Sequence, residues 1–342
     1  MIEAVRARST AAVFRGVASF VAIAVAAAAA ALLFVAPAQA QDAASYPTRP
    51  IKIIVPFGAG SQMDIVARLV GGKLSDSLGK PVIVENQPGA SGNIGSEIVA
   101  KAPPDGYTLL VTGSLITLLP STLGARAVDP VAAFAPITKL AEPPILIVAN
   151  PALGVSTLPE LIAKARAQPG KIAYATAGIG TVQHLTALTL SKKAGIDMLH
   201  IPYANSGQAL KDVLQGEVPV YFTFLGPIDT YLKNGQLKAL AVESNHRMRA
   251  WPEIPTVAEL GYEEAVADPW NGVLAPAGTP PAIIELLYRE LARIVVEPDV
   301  REVFIKMGME PLAPTPAEFS AEIRRSVQRW PPIAREAGIR PD

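Results

Sequence analysis

The first group of residues suited to ligand binding is a short loop rich in glycine and polar side chains. Gly58 and Gly60 let the backbone approach a ligand closely, and Ser61 can cap a helix or donate from its hydroxyl. Gln62 is expected to line the pocket. Asp64 falls in the first helical turn, where it either orders neighbouring N–H groups or receives a ligand ammonium group. Helix N-termini expose unpaired N–H groups and favour carboxylates.

Further loops of the same kind follow later strands. Ser91, Gly92 and Asn93 precede another predicted helix, although glycine, proline and asparagine there also suit a plain turn. Ser114 and Thr117 follow a third strand. A matching loop in the middle of the chain contains Thr176, Ala177, Gly178, Gly180 and Thr181. His184, about one turn into the next helix, is either a packed or capping histidine or a ligand contact.

Motifs of the common enzyme classes are missing from the sequence. The histidines are far apart and lack metal-ligand spacing: His184, His200 and His246. There is no G-x-S-x-G elbow and no phosphate-binding P-loop. A dinucleotide fold is the nearest competitor because Gly58-Ala59-Gly60 follows the first strand, but Met63 occupies the third glycine position and Glu85 matches the acidic residue only loosely. The sequence predicts no catalytic residue, metal or cofactor.

The loops that carry these residues recur in a strand, loop, helix pattern. Apolar strand-like runs alternate with helical segments, which predicts an α/β fold with parallel sheets covered on both faces. Residues 53–69 and 172–188 are weakly similar to each other, a resemblance called the internal echo below. Each segment has a strand, a glycine-bearing loop and a helix start. If two lobes face each other, these two junctions oppose one another across a cleft.

Two breaks in composition divide the chain. They lie near residues 141–160 and 267–280, so the middle of the chain is expected to form one lobe while the first and last parts share the other. The predicted boundaries are 46–148 plus 269–342 for lobe 1 and 149–268 for lobe 2. A helical stripe from Pro281 to Val296 is expected to dock onto lobe 1.

Residues 1–40 resemble a secretory leader, with early arginines, an apolar run and a small-x-small site that predicts cleavage after Ala40. The alternative is a retained anchor, because Val17 to Ala36 could span a bilayer. The whole sequence has 30 basic residues (Lys and Arg) and 30 acidic residues (Asp and Glu). Loss of residues 1–40 removes three arginines and one glutamate, which leaves a net charge of about −2. That balance argues against nucleic-acid binding. With zero cysteines, the chain cannot contain disulfides or thiolate sites.

Several stretches resemble the substrate-binding proteins of tripartite tricarboxylate transporters, also called the Bug family of periplasmic receptors. The resemblance covers essentially the whole chain after the leader, and its specific stretches are YPTRPIKIIVPFGAGSQMDIVAR, VENQPGASGNIG, APPDGYTLL, HIPYANSGQALKDVLQGEV, YLKNGQLKALAV, PEIPTVAELGY and WNGVLAPAGTP. It implies a type II periplasmic-binding fold, with two doubly wound lobes, a hinge and a ligand cleft. It also implies a periplasmic monomer that passes a small aliphatic, amino or aromatic acid to membrane permease subunits.

The resemblance also implies binding positions. The matching residues in lobe 1 are Phe57, Ala59, Gly60, Ser61 and Asp64, with Ser91 and Ser114 nearby. Those in lobe 2 are Thr176, Ala177, Thr181, His184 and Tyr203.

Some positions depart from the family pattern. Ser61 and Ser91 replace glycines, and Val218-Pro219 and Thr223-Phe224 replace more polar pairs. The resulting apolar wall, including Phe224 unless it is simply packed, favours an aromatic or longer acid. A ligand-presenting sensor subunit for a membrane kinase is the alternative function, because it would use the same clamp.

Overall fold

The strands and helices follow the apolar runs and helical periods of the sequence. The computed structural model describes residues 45–203, 205–267, 269–336 and 338–339. The predicted leader, its alternative as an anchor and the Ala40 cleavage site lie outside these residues. Across the described part of the chain, no helix combines the length and apolar character that a bilayer crossing requires.

The strands belong to two sheets. The strands are β1 Ile51–Val55, β2 Val82–Asn86, β3 Thr108–Gly113, β4 Phe134–Glu142, β5 Ile145–Ala149, β6 Ala173–Thr176, β7 Leu199–Pro202, β8 Val220–Phe224, β9 Lys238–Val242, β10 Asn271–Pro276 and β11 Glu310–Pro311. The first sheet has the order β11-β4-β10-β3-β1-β2, and the second has the order β7-β6-β8-β5-β9. Lobe 1 below means the first sheet with its packed helices, and lobe 2 means the second.

Helices cover both sheets, as expected for the α/β class. The α-helices are α1 Gln62–Leu78, α2 Asn93–Ala100, α3 Leu119–Leu123, α4 Leu158–Ala167, α5 Val182–Ala194, α6 Ser206–Gln215, α7 Asp229–Lys233, α8 Pro281–Val295, α9 Pro298–Lys306 and α10 Pro316–Glu336. The predicted tail helix is confirmed as α8, whose buried stripe includes Ile283, Leu287 and Leu291. Separate apolar clusters lie on the two faces of each sheet.

The predicted parallel sheets are in fact mixed, because each sheet contains an inserted interior strand that runs antiparallel to both of its neighbours, and the short edge strand β11 is also antiparallel to β4. Strand β10 runs antiparallel to β3 and β4, and β5 runs antiparallel to β8 and β9. Each inserted strand follows a passage from the other sheet. It enters at the edge where the parallel strands end, so it must run in the opposite direction.

The first passage between sheets is very short. Strand β4 ends at Glu142 and β5 begins at Ile145, so only Pro143 and Pro144 separate them. Three Cα steps span at most about 11 Å. The carboxyl edges of the two sheets must therefore lie next to each other. The predicted lobe boundary at 148–149 falls inside β5, whereas the change of sheet occurs at the two prolines.

The last helix contacts both lobes. Phe319 and Ile323 of α10 pack in a cluster of lobe 1 with Trp270. Trp330, further along the same helix, is 3% exposed and packs in a cluster with Val182 of lobe 2. The predicted assignment of residues 269–342 to lobe 1 therefore omits the contact of this tail with lobe 2.

We expect Trp330→Ala to lower the free energy of unfolding by about 3 to 5 kcal/mol, because it leaves a cavity where a large buried ring lay. Denaturant unfolding followed by circular dichroism measures this change. Gln328→Ala, an exposed position on the same helix, is the control and should change stability by less than about 0.5 kcal/mol. Equal effects of the two substitutions would contradict the packing of α10 described here.

Candidate functional site

A cavity of about 230 Å³ lies where the carboxyl edges of the two sheets meet. Its wall from lobe 1 and the crossing segments consists of Phe57, Gln62, Met63, Gly113, Ser114, Leu115, Pro143, Pro269, Trp270 and Asn271. Its wall from lobe 2 consists of Ala177, Thr181, Val182, Gln183 and Phe224. The volume is below the roughly 300 to 1,000 Å³ of pockets for drug-sized ligands, so it suits a small metabolite.

The loop before α1 is fixed by hydrogen bonds from its own side chains. Ser61 is the N-cap of α1, and its hydroxyl accepts from the Asp64 amide at 3.3 Å. Gly60 adopts a φ of 78°, a left-handed conformation that favours glycine, and its amide donates to Asp64 Oδ2 at 2.9 Å. The side chain of Asp64 thus fixes the turn into α1. Asp64 itself does not line the cavity, although the preceding residue, Met63, does.

Asp64 is buried and ionised. Its Oδ1 accepts from Asn86 Nδ2 at 2.9 Å and pairs with Arg68 at 3.0 Å. The hydrogen bond from Arg68, with those from Gly60 and Asn86, lowers the pKa of Asp64 to about 2 against the opposing effect of burial. Of the two roles that the sequence left open for Asp64, this geometry favours ordering of neighbouring N–H groups.

The loop before α5 repeats this arrangement in lobe 2. Thr181 is the N-cap of α5, and its hydroxyl oxygen lies 3.3 Å from the amide nitrogen of His184. Gly180 has a φ of 76°, and its amide donates to His184 Nδ1 at 3.2 Å. The internal echo read from the sequence therefore extends to individual hydrogen bonds, with an imidazole in the place of the carboxylate.

The imidazole is held neutral. Burial lowers the pKa of His184 to about 4, and the neighbouring His200 contributes to the shift. The two rings stack with centroids 4.0 Å apart, and His200 Nε2 lies 2.8 Å from the Thr176 hydroxyl. These contacts favour the first of the two alternatives raised by the sequence, a capping and packed His184.

The glycine amides of the two loops are already paired within the protein. The Gly60 amide is used by Asp64, and the Gly178 amide donates to the Thr176 hydroxyl at 3.2 Å. The first-turn amides of a helix have no intrahelical acceptor. In α1 these include the amides of Gln62 and Met63, and in α5 those of Val182 and Gln183. All four of these residues line the cavity.

The structure brings together part of the predicted site. The predicted residues that line the cavity are Phe57, Gln62, Ser114, Ala177, Thr181 and Phe224. The others are not part of its wall: Ala59, Gly60, Ser61, Asp64, Ser91, Thr176, Gly178, His184 and Tyr203. Ser91 is exposed, and the Tyr203 hydroxyl donates to Asp212 Oδ2 at 2.8 Å. The binding role of every predicted residue stays a prediction.

Trp270 and Asn271 are the main residues that the sequence did not single out. Both line the cavity and are at most 1% exposed. Trp270 Nε1 and Asn271 Oδ1 are buried without a hydrogen-bond partner among the described residues. The available signal was the segment WNGVLAP, an apolar strand preceded by polar side chains. In a parallel sheet the ligand-binding residues follow the strands, whereas the antiparallel β10 begins at that edge with Asn271.

The cavity wall carries no charged side chain among the described residues. A ligand anion would be held by main-chain amides and helix dipoles, without Lys or Arg. Larger cavities lie elsewhere, such as one of about 410 Å³ beside Leu188 and Pro332 and one of about 390 Å³ beside Lys139 and Arg325. Neither is lined by the first turns of two facing helices.

Comparison with known proteins identifies relatives of the chain. Residues 66–339 match the family model of the tripartite tricarboxylate transporter family receptor. The chain is similar to protein BugT of Bordetella pertussis, with 38% identity over 304 residues, covering 87% of this chain and 92% of BugT.

Two solved structures with ligands are also similar. Rpa4515 of R. palustris with adipate has 29% identity and a TM-score of 0.71, covering 86% of this chain and 98% of that one. MatC of Rhodopseudomonas palustris with bound malate has 28% identity and a TM-score of 0.67, covering 84% and 99%.

We expect the contribution of His184 to the free energy of unfolding to fall as pH is lowered from 6.5 towards 4. In that range the unfolded chain takes up a proton on His184 while the folded chain does not. Proton binding therefore stabilises the unfolded state relative to the folded state. At 1.36 kcal/mol per pKa unit, the effect of this one group is at most roughly 3 kcal/mol. His184→Gln, which can still accept from Gly180, should flatten the dependence in denaturant titrations at several pH values.

Gln328→Ala, the exposed substitution used above, is the control. It removes no titratable group, so it should leave the slope of stability against pH unchanged. A slope that is the same in His184→Gln and in the unmodified protein would show that His184 is not held neutral by the fold.

Proposed function

Because the chain belongs to the tripartite tricarboxylate transporter receptor family, we propose that it is a periplasmic solute-binding protein that captures a small carboxylate-bearing ligand. The fold of the chain, with two sheets and their inserted strands, is shared with these solved structures, which supports the predicted type II periplasmic-binding fold. One observation carries the proposal: the first turns of α1 and α5, from opposite lobes, line the same uncharged cavity.

The helix starts supply enough binding free energy for such a ligand. A hydrogen bond to a charged group contributes about 1.5 to 3 kcal/mol. Three or four of the amides of Gln62, Met63, Val182 and Gln183 would approach the roughly 8 kcal/mol of a micromolar complex. The helix dipoles add about 0.3 to 1 kcal/mol each.

Contacts from both lobes provide the driving force for closure. Phe57 comes from lobe 1 and Phe224 from lobe 2, and both line the cavity. A ligand that touches both walls binds the closed arrangement more tightly than the open one, and this difference shifts the population towards closure. These two aromatic side chains are compatible with the predicted preference for a longer or aromatic acid.

The relatives support a carboxylate ligand. One similar structure contains adipate and another contains malate, both of them small dicarboxylates. The match to a transporter receptor family favours delivery to membrane permease subunits over the alternative of a sensor subunit for a kinase. We keep as proposals that the protein is a monomer, that it has no enzymatic activity, and that export ends with cleavage after Ala40.

A panel of aliphatic, amino and aromatic mono- and dicarboxylates tests the function. Titration calorimetry of the purified protein should find at least one acid with a dissociation constant in the micromolar range or below, together with a raised melting temperature. The amide or methyl ester of that acid should bind far more weakly, because it lacks the negative charge. A panel without any binder would contradict the proposal.

A new charge at the helix start of lobe 2 tests the binding mode. Thr181→Asp retains a good N-cap but places a carboxylate on the cavity wall, so we expect at least a hundredfold loss of affinity for the acid. Thr181→Asn, a neutral N-cap of the same shape, should bind much more tightly than Thr181→Asp.

Thr157→Asp supplies the matched charge control, because Thr157 is the N-cap of α4 and does not line the cavity. It should bind the acid like the unmodified protein. Equal affinities of Thr181→Asp and Thr181→Asn would remove this helix start from the site.

A further inference from the structure

Glu243 is buried where the two segments that connect the sheets meet. It directly follows β9 and is 0% exposed. Its amide donates to the carbonyl of Ile145, the residue directly after Pro143 and Pro144. Its carbonyl accepts from the amide of Ala267, on the path from lobe 2 back to β10. The backbone of Glu243 therefore joins both connections between the lobes.

The side chain of Glu243 contacts the ligand helix of lobe 2. Its Oε2 lies 2.8 Å from Thr186 Oγ1 in α5. Thr186 follows Val182 and Gln183, which line the cavity, by four and three residues. At about 1.5 Å per residue, Thr186 lies only roughly 5 to 6 Å further along the helix axis. Glu243 thus contacts α5 within about one turn of the cavity wall.

The hydrogen bonds of Thr186 favour a proton on Glu243. The hydroxyl of Thr186 lies 3.0 Å from the Val182 carbonyl oxygen and 3.2 Å from that of Gln183. A hydroxyl has a single proton to donate, whereas it can also accept. If Thr186 donates to one of these carbonyls, its contact with Glu243 requires a donor on the carboxyl group. A protonated Glu243 supplies this donor, and both hydrogen bonds then form together.

The second oxygen of Glu243 also favours the neutral form. Oε1 is buried and has no hydrogen-bond partner among the described residues. A carboxylate would therefore be buried with a single hydrogen bond, which costs much more than leaving one neutral carbonyl oxygen unpaired. Burial raises the pKa of Glu243 well above its ordinary value of 4.5, against the smaller opposing effects of Thr186 and of Arg329 in α10.

Other titratable groups face Glu243 from the neighbouring segments. Glu142, His246 and Glu310 line a small cavity of about 20 Å³ together with Glu243. The carboxyl groups of Glu142 and Glu310 disfavour a further negative charge there, and His246 Nε2 lies 3.5 Å from Glu142 Oε2. On α5, His184 is held neutral and adds no charge.

We propose that Glu243 is a neutral carboxylic acid in the folded protein, and that its proton is donated to Thr186 and holds α5 to the segments between the lobes. In this form Glu243 places no negative charge beside the cavity. An ionised Glu243 would repel an anion bound at the start of α5. This last step rests on the proposed function, because it concerns an anionic ligand. Glu243 is thus a positioning residue that acts on the ligand through Thr186.

Glu243→Gln tests the protonation state, because a carboxamide has the shape of the neutral acid and cannot ionise. Above pH 4.5 the unfolded protein releases the Glu243 proton while the folded protein keeps it. The unfolding equilibrium constant of the unmodified protein, divided by that of Glu243→Gln, should therefore rise with pH, by up to about tenfold per pH unit. Denaturant titrations at several pH values measure this ratio.

A ratio that stays constant or falls as pH rises would overturn the proposal, since Glu243 would then be ionised in the folded protein. Gln328→Ala, which removes no titratable group, is the control and should give a ratio that does not depend on pH.

Infrared spectroscopy of the unmodified protein is a second measurement that does not require the variant to fold. At about pH 6, where free glutamate side chains are ionised, protein with ¹³C-labelled glutamate should show the C=O stretch of a protonated glutamic acid. Absence of this band would overturn the proposal. In folded Glu243→Gln the band should be lost or reduced.

Rescue of binding tests the positioning role. With each acid from the panel above that binds, Glu243→Ala should weaken binding by about tenfold, the effect of one lost hydrogen bond. Glu243→Gln, which can still donate to Thr186, should restore most of the affinity. Binding by Glu243→Gln that is no tighter than by Glu243→Ala would overturn the role. If no acid binds, the proposed function fails, whereas the unfolding ratio still decides the state of Glu243.

Thr186→Val and Thr189→Val form a matched pair on α5. The Thr189 hydroxyl donates to the Leu185 carbonyl at 2.8 Å, and Thr189 does not line the cavity. Thr186→Val should weaken binding of the acid about as much as Glu243→Ala, and Thr189→Val should bind like the unmodified protein. Equal affinities of the two valine variants would overturn the route through Thr186.

Discussion

The rest of the structure depends on the meeting of two helix N-termini at one cavity. The short passage at Pro143 and Pro144 holds the carboxyl edges of the two sheets together. Loops at these edges lead into α1 and α5, so the first turns of both helices line one cavity. A small anion can then be bound without any charged side chain. Its affinity depends on the relative position of the two lobes, because each lobe contributes one helix start.

The starts of α1 and α5 are fixed by the same kind of hydrogen bond, but the accepting side chain is charged in α1 and neutral in α5. Asp64 and His184 each accept from the glycine amide four residues earlier. The carboxylate is stabilised as an anion by Arg68 and sits outside the cavity wall, while burial keeps the imidazole neutral. Neither side chain therefore adds a positive charge to the site. The ligand specificity must then come from the neutral groups that line the cavity.

The sequence predicted the α/β class, the two lobes and the two loops, because apolar runs and glycine-bearing junctions are local patterns. It did not predict β5 and β10 as inserted antiparallel strands, since strand direction depends on the path between sheets. For the same reason Asn271 and Trp270 were missed. Gly60 and Gly178 were expected to bring the backbone close to the ligand, but the hydrogen bonds of their amides to the Asp64 and Thr176 side chains depend on the three-dimensional structure.

A crystal structure of the protein with a bound carboxylate tests the central claim most directly. The account predicts carboxylate oxygens about 2.7 to 3.2 Å from amide nitrogens of Gln62 or Met63 in lobe 1 and of Val182 or Gln183 in lobe 2. A carboxylate held elsewhere, or contacted by the helix start of only one lobe, would contradict it.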